Sequence, residues 1–410
     1  LHILFLTDNF PPEVNAPASR TFEHTREWVR AGAQVTVITC APNFPKGEVF
    51  PGYRNRLWQR ERIEGIDVIR VWTYITANEG FVRRIADYMS FMFSASIAAL
   101  FVRKVDVVVG TSPQFFTACA AWFVGAVKRR PFVFELRDLW PESIKAVGAM
   151  SHSHAIAMLE RIEWFLYRSA AHIVSVTESF RTHLIERGIP SERISVVTNG
   201  VDLDNFSPRP KDAELLQSLG LGGAFVAGYI GTHGLAHGLD TLLDVAARVP
   251  RLADGRRLVI LLVGDGAQKQ LLRERAAREG LDNVVFVDTV SKQEIARYWS
   301  LLDACVIHLK RTPLFETVIP SKLFEAMGMG VPIVMGVAGE AAGIVRKEQC
   351  GIAVAPESAE EIASALKALA ADKVLAKSLS AAGLAAAQRY TRPTLAAKML
   401  GVLGSVVLRN

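Results

Sequence analysis

Cysteine is scarce in this sequence. Cys40, Cys119, Cys305 and Cys350 lie far apart with no paired spacing, so neither a disulfide framework nor a thiolate metal site is expected. A reducing, cytoplasmic setting fits that usage. Charge is also sparse, at 21% of residues against 50% hydrophobic, which excludes disordered, collagen-like and coiled-coil chains. With 47 Lys and Arg against 41 Asp and Glu the net charge is only +6. That is too weak and scattered for nucleic acid, yet it suits an anionic small molecule or an anionic membrane surface. The opening Leu1-His2-Ile3-Leu4-Phe5-Leu6 lacks the basic leader and cleavage site of a signal peptide and reads as a buried first strand. Within Phe81 to Lys104 the uncharged centre Tyr88 to Val102 has 15 residues, short of the roughly 20 that cross a bilayer. Flanked by Arg83, Arg84, Arg103 and Lys104, it reads either as a core helix or as an interfacial helix with basic ends.

At 410 residues the length favours two domains. Short β-branched runs alternate with amphipathic stretches, the pattern of parallel sheets flanked by helices. Strands are expected at 2–7, 34–39, 66–71, 105–110, 132–135, 172–176 and 194–197, with helices such as 18–30 and 155–168. The stretch 42–62, with Arg54, Arg56, Arg60 and Arg62 among Gly and Pro, reads as an exposed basic loop. Residues 204–223, with Pro208, Pro210, Gly220, Gly222 and Gly223, read as a linker with a short helix. A second set of strands follows at 225–230, 258–263, 284–287, 304–308, 333–335 and 352–354, with helices at 239–248, 268–279, 293–302 and 320–329. The tail 359–410 is helical in composition and divided by Pro393. The expected α/β architecture is two Rossmann-like domains facing a cleft, 1–203 and 224–390, with a final helix at 391–410; ligands belong at the carboxyl ends of the strands.

Two glycine clusters leave strands and enter helices. Gly264-Asp265-Gly266 reads either as an anion-binding turn or as an ordinary strand-to-helix turn. In Gly228-Tyr229-Ile230-Gly231-Thr232-His233-Gly234-Leu235-Ala236-His237-Gly238, glycines permit close backbone approach to a phosphate. His233 and His237 are better suited to a phosphate than to a metal, because Gly234 and Gly238 oppose the helix that would align them. Asp202-Leu203-Asp204 mimics a metal-holding carboxylate pair but reads better as a turn and cap. Further on, Pro320 and Ser321 open a helix whose first turn presents Lys322 beside free N–H groups, a site suited to a diphosphate. Glu325 shares that face and can accept from ribose hydroxyls. Asp138, just past a strand, reads as a carboxylate that can orient a hydroxyl or stabilise developing positive charge, or else as a helix cap. Glu178 holds the equivalent end of a later strand, and Glu340-Ala341-Ala342 begins a helix whose N–H groups can meet the diphosphate.

The region around Lys322 and Glu325, with the Gly330-Val331-Pro332 turn after it, resembles the donor site of GT-B glycosyltransferases of family 4. Asp8-Asn9-Phe10-Pro11-Pro12-Glu13, Thr198-Asn199-Gly200-Val201-Asp202 and Gly264-Asp265-Gly266 fall in that family's order. Arg137-Asp138-Leu139-Trp140-Pro141-Glu142, Gly231-Thr232-His233-Gly234 and Ile319-Pro320-Ser321-Lys322 are similar to the bacterial branch that builds O-antigen, capsule or exopolysaccharide, including presumed L-fucosamine transferases. The resemblance implies the GT-B fold, C-terminal helices crossing back to the first domain, and retention at the anomeric carbon.

Departures from the family pattern shape the remaining expectations. Thr317 stands where the family carries a Glu eight residues before Glu325, and Glu316 misses that position by one. The diphosphate-clamping Arg and Lys of the first loop of the second domain are absent, with His237 where the Lys belongs; Lys322, with Arg311, is expected to supply the charge. Asn15 and Ala16 replace paired glycines of the opening loop on the acceptor side, where Arg137 and Asp138 also lie. The expected activity is metal-independent and cofactor-free transfer of an N-acetylated amino sugar from a UDP-sugar to a polyprenyl-diphosphate-linked or growing glycan acceptor. It is expected at the inner face of the cell membrane, bound peripherally to anionic lipid. The alternatives are a GT-B nucleotide-sugar 2-epimerase and a non-catalytic GT-B partner subunit.

Overall fold

A computed structural model describes residues 1–44, 46–76, 81–112, 114–139, 154–291 and 293–409. Trp140, Pro141 and Glu142 of the motif that starts at Arg137 lie outside the described residues. The chain divides into two units, Leu1–Thr198 with Arg392–Asn410, and Asn199–Thr391.

The first unit holds β1 (His2–Leu6), β2 (Gln34–Cys40), β3 (Trp58–Ile63), β4 (Ile66–Val71), β5 (Val107–Thr111), β6 (Phe132–Leu136), β7 (His172–Ser175) and β8 (Ile194–Val196). They form one sheet in the order β3-β4-β2-β1-β5-β6-β7-β8, parallel except for β3. Strand β1 is buried throughout, as the near-continuous apolar runs of a sheet covered on both faces require. Helices Phe81–Leu100 and Phe115–Lys128 cover one face; Ala16–Arg30 and Arg392–Arg409 pack together on the other. Leu395, Ala396, Met399, Leu403 and Val406 of the last helix are buried in that second core. The Trp28 indole N–H donates to Ala396 O at 2.8 Å. The tail divides at Pro393 as expected: the turn Gln388–Tyr390 ends the preceding helix and the last helix starts at Arg392. Pro393 sits in the first turn of this helix, where proline's missing N–H costs no helical bond.

The loop expected over 42–62 is corrected at its end by β3, which runs antiparallel to β4 through a turn at Glu64 and Gly65 with φ of +50° and +84°. Two successive positive φ values match the right-handed twist of a tight hairpin. Glycine signals this at one position, whereas Glu64 hides it at the other. Arg60 stacks over Trp58 instead of projecting freely, and Arg62 lies 3.7 Å from Asp67.

The second unit holds β9 (Phe225–Ile230), β10 (Leu258–Val263), β11 (Val284–Val287), β12 (Ala304–His308), β13 (Ile333–Gly336) and β14 (Gly351–Ala353), all parallel, in the order β11-β10-β9-β12-β13-β14. Order reverses where β9 meets β12, the switch point at which such sheets open a ligand crevice. Residues 204–223 are not a free linker. Phe206, Leu215, Leu216 and Leu219, each partly buried, pack on the core of this unit, and that packing holds the short helix Ala213–Ser218 expected there.

Candidate functional site

The carboxyl ends of β9 and β12 and the start of the helix Lys322–Met329 enclose a cavity of about 350 Å³ lined by Gly231, Thr232, His237, Ser321, Lys322 and Glu325, among others. Lys322 Nζ stands 3.6 Å from the centre of the Tyr229 ring, within cation–π range. A Cβ on Gly231, whose φ is +145°, would fall 2.7 Å from that ammonium. Glycine is therefore what lets the loop and Lys322 share the space. The Tyr229 hydroxyl is held in turn, donating to Thr232 O at 2.8 Å. Burial pushes the Lys322 ammonium down to about 8 against the opposing pull of Glu325. It is mostly protonated at neutral pH yet poorly solvated, and an anion would relieve that cost.

His237 lines this cavity, while His233 is fully buried and lies outside the lining. Burial, and then Lys322, holds His237 near 4; burial, Lys269 and Lys322 do the same for His233. Both are neutral at pH 7. His308, which sequence reasoning did not single out, props the loop from below. Its Nε2 accepts from the Glu357 N–H at 2.9 Å, so its Nδ1–H donates to His237 O at 2.7 Å. A histidine at the carboxyl end of a buried strand was the available signal.

Gly264 and Gly266 serve this loop from behind. A Cβ on Gly264 would lie 2.0 Å from Gly231 O, and one on Gly266 2.6 Å from His233 O. The two strand-to-helix turns lock back to back, with the His233 N–H donating to Asp265 O at 2.8 Å. Neither glycine is among the lining residues. Arg311 is also placed elsewhere: its guanidinium donates to Pro356 O at 3.3 Å and its backbone N–H to the Glu357 carboxylate. Glu340, Ala341 and Ala342 begin the helix Glu340–Glu348, with both alanines buried and none of the three lining the cavity. The Thr317 hydroxyl donates to Leu314 O at 2.7 Å and Glu316 is exposed. Asp202 accepts from Asp204 N and Asn205 Nδ2, which spends its carboxylate on a turn. Among the described residues no three His, Cys, Asp or Glu side chains gather as a metal site.

In the first unit, Arg137 and Asp138 follow β6, and both backbone N–H groups donate to the Ser112 hydroxyl, at 2.7 and 3.1 Å. Beneath them a buried pair missed from sequence, Arg20 and Glu135, meets at 3.0 Å with side chains 1% and 2% exposed. Arg20 also donates to Val197 O and Thr198 O. A charge inside the apolar run Phe132-Val133-Phe134-Glu135 was the signal, since buried carboxylates need a partner. Burial pushes Arg137 down to about 10 despite Glu135 nearby. Asn15 caps the helix Ala16–Arg30, accepting from Ala18 N, and donates to Asn9 Oδ1. Glu178 is exposed at the start of the helix Glu178–Glu186, 3.5 Å from Arg181.

Two family models match the chain, a glycosyl transferase 4-like domain over residues 15–200 and glycosyl transferases group 1 over residues 224–372. The putative colanic acid biosynthesis glycosyl transferase WcaI of Escherichia coli (strain K12) is 25% identical, over 90% of this chain and 91% of its own. A GDP-mannose-dependent alpha-(1-6)-phosphatidylinositol monomannoside mannosyltransferase of Mycobacterium tuberculosis (strain ATCC 25618 / H37Rv) is 28% identical over 63% of this chain and 69% of its own. Among solved structures, Anabaena Alr3699/HepE in complex with UDP aligns with a TM-score of 0.71 at 19% identity, covering 99% of this chain and 100% of that one. WaaG, a glycosyltransferase involved in lipopolysaccharide biosynthesis, aligns at 0.68 and 13% identity, covering 98% and 99%. At such identities the two structures speak for the fold. With a glycosyltransferase model over most of each unit and two Rossmann-like sheets beneath them, the chain belongs to the GT-B glycosyltransferases, in the 4-like and group 1 families.

Proposed function

We propose that this enzyme is a retaining, metal-independent glycosyltransferase that moves an N-acetylated amino sugar from a UDP-sugar to a polyprenyl-diphosphate-linked or growing glycan acceptor in surface polysaccharide biosynthesis. The observation that carries the reading is the Lys322 ammonium in a cavity at the switch point of the second unit, beside Ser321 and Glu325. A diphosphate there gains the ammonium charge and the first-turn N–H groups of an eight-residue helix. Glu325, on the same cavity wall, accepts from the ribose hydroxyls. As the sugar–phosphate C–O bond breaks, its electron pair goes to the phosphate oxygen and Lys322 stabilises the growing charge. The acceptor oxygen bonds to the anomeric carbon on the same face, and its proton passes to that phosphate oxygen. Asp138 orients the acceptor hydroxyl.

Relatives support the choice of donor and pathway. Alr3699/HepE was solved with UDP and with UDP-glucose, and WcaI and WaaG are named for colanic acid and lipopolysaccharide biosynthesis. A lipid-linked acceptor places the enzyme at the inner face of the cell membrane. The described helices include none long and apolar enough to cross it, but one helix layer of the first unit presents an apolar outer face. Met89, Phe93, Ile97 and Phe101 are exposed along the helix Phe81–Leu100 and just past it. Phe123 and Val127 are exposed on the adjacent Phe115–Lys128, and Met158 and Phe165 on His154–Ser169 beyond. Exposed Arg103, Lys104, Arg129 and Arg130 flank this face, the combination that seats a protein on anionic lipid.

Thermal unfolding in EDTA with UDP, UDP-N-acetylhexosamines and GDP-mannose tests the donor. UDP at about 100 times its Kd adds about 2.7 kcal/mol to the native state. Stabilisation by UDP compounds in EDTA, followed by transfer to lipid-diphosphate acceptors, is the expected result. Stabilisation only with added divalent ion, or by GDP-mannose alone, overturns the reading.

A further inference from the structure

The first unit holds a second cavity, of about 250 Å³, at the carboxyl ends of β1, β2 and β4. Three carboxylates line it: Asp8, Glu13 and Asp87. Glu13 is 4% exposed; its Oε1 accepts from Asn43 N and Phe44 N at 2.8 and 2.9 Å, while its buried Oε2 has no hydrogen-bond partner. A buried carboxylate oxygen without a partner leaves acceptor capacity unspent. The Thr73 hydroxyl donates to Asp87 Oδ1 at 2.9 Å. Burial, augmented by the charge of Asp8, pushes Asp87 up to about 6, so it remains mostly ionised at neutral pH. Burial likewise raises Asp8 and Glu13, and Asp8 adds to the rise at Glu13. The one cation among the described lining residues is Arg84, whose guanidinium lies 3.3 Å from the Tyr88 hydroxyl. Phe44, 41% exposed, and Tyr88 supply aromatic surface.

We infer that this cavity is a sugar subsite that takes a hydroxyl- or ammonium-bearing glycosyl unit and rejects one that carries a carboxylate or phosphate. Sugar hydroxyls are donors, and the carboxylates are acceptors spaced around a volume of monosaccharide scale. Aromatic surface suits the apolar face of a pyranose. An acidic sugar meets the charge of Asp87, with the acidic groups Asp8 and Glu13 beside it, in a half-buried site where such repulsion is weakly screened. The selection acts through exclusion as much as through attraction. This deepens the glycosyltransferase reading and rests on it: the subsite holds a residue of the acceptor glycan, and the acceptor's diphosphate belongs outside the cavity.

Ligand-observed saturation-transfer NMR on the full chain tests this without requiring turnover. The probes are octyl glucoside, octyl glucosaminide and octyl glucuronide below their micellar concentrations, with UDP as a separate ligand. The glucosaminide and glucoside are expected to bind at least tenfold more tightly than the glucuronide. Asp87→Asn should narrow that ratio several-fold while leaving UDP affinity unchanged. A glucuronide that binds as well as the glucoside to wild type, no binding by any of the glycosides, or a ratio unmoved by Asp87→Asn in protein that still binds UDP, overturns the inference. Loss of UDP binding by wild type would instead count against the donor reading.

Discussion

The Lys322 ammonium lies over the face of Tyr229, 3.6 Å from the ring centre. The ring is a resting partner of the charge, and Glu325 adds an electrostatic pull. A ring attracts a cation without neutralising it, so the ammonium is held in position and its charge is still available to a diphosphate.

Lys322→Ala is therefore expected to lower kcat by roughly 30- to 1000-fold, about 2 to 4 kcal/mol of barrier, with a smaller rise in donor KM. Glu325→Ala should do the reverse, raising donor KM with a modest change in kcat, because ribose contacts are equal in ground and transition states. Steady-state kinetics on both variants checks the split. If His237→Ala is the severe mutant and Lys322→Ala behaves as wild type, the cation has been misplaced.

The pH dependence follows from the same residue. Burial puts Lys322 near 8, and only the protonated form attracts a diphosphate. Donor kcat/KM should be full below pH 8 and fall as pH rises through that value. Lys322→Arg, whose guanidinium stays charged, should lose the alkaline limb even if its plateau is lower. An unchanged limb in that variant would assign it to another group.

Gly264→Ala is expected to disrupt the loop from behind. Its Cβ would fall 2.0 Å from Gly231 O at a φ of +140°, so the two turns must separate. The expected loss is about 3 kcal/mol or more, together with UDP-induced stabilisation. Gly280→Ala is the control, with φ +66° and nothing within 4 Å, and should cost about 1 kcal/mol. Denaturant melts of both proteins compare them directly. Equal losses would mean that the back-to-back packing is not what Gly264 provides.

Much of this was legible in the sequence, for reasons that are particular to each element. Apolar runs such as Leu258–Val263 announce buried parallel strands because both faces are covered. Lys322, Ser321 and Glu325 could be grouped because helical spacing places them within one turn. Tyr229 and His308 could not, because what brings them to Lys322 and His237 is the pairing of β9 with β12, a long-range relationship. Local sequence leaves Gly264 open between an anion-binding turn and an ordinary one, because its glycine requirement comes from Gly231 O in another loop. Strand β3 was missed because charged Arg60 and Arg62 occupy a sheet edge, where charge is tolerated and even protective.

The apolar helix face carries the membrane prediction. Phe93→Ser with Ile97→Ser and Phe101→Ser removes side chains that are 57%, 61% and 67% exposed, so the fold should tolerate the change. Flotation with anionic liposomes at low salt should fall several-fold while UDP affinity is unchanged. Arg129→Gln with Arg130→Gln should weaken flotation chiefly on anionic vesicles, by about 1 kcal/mol per charge. Triple-variant flotation equal to wild type would place the membrane contact elsewhere.

The central claim, that a nucleotide diphosphate binds against Lys322, is tested most directly by the protons that binding takes up. Calorimetric titration of UDP at pH 8 in EDTA, repeated in buffers of different ionisation enthalpy, counts them. A diphosphate beside Lys322 raises the ammonium pKa above 8, so wild type should take up a fraction of a proton per UDP. Lys322→Met should take up none and bind more weakly. Equal affinity and equal proton uptake in the two proteins would contradict the account.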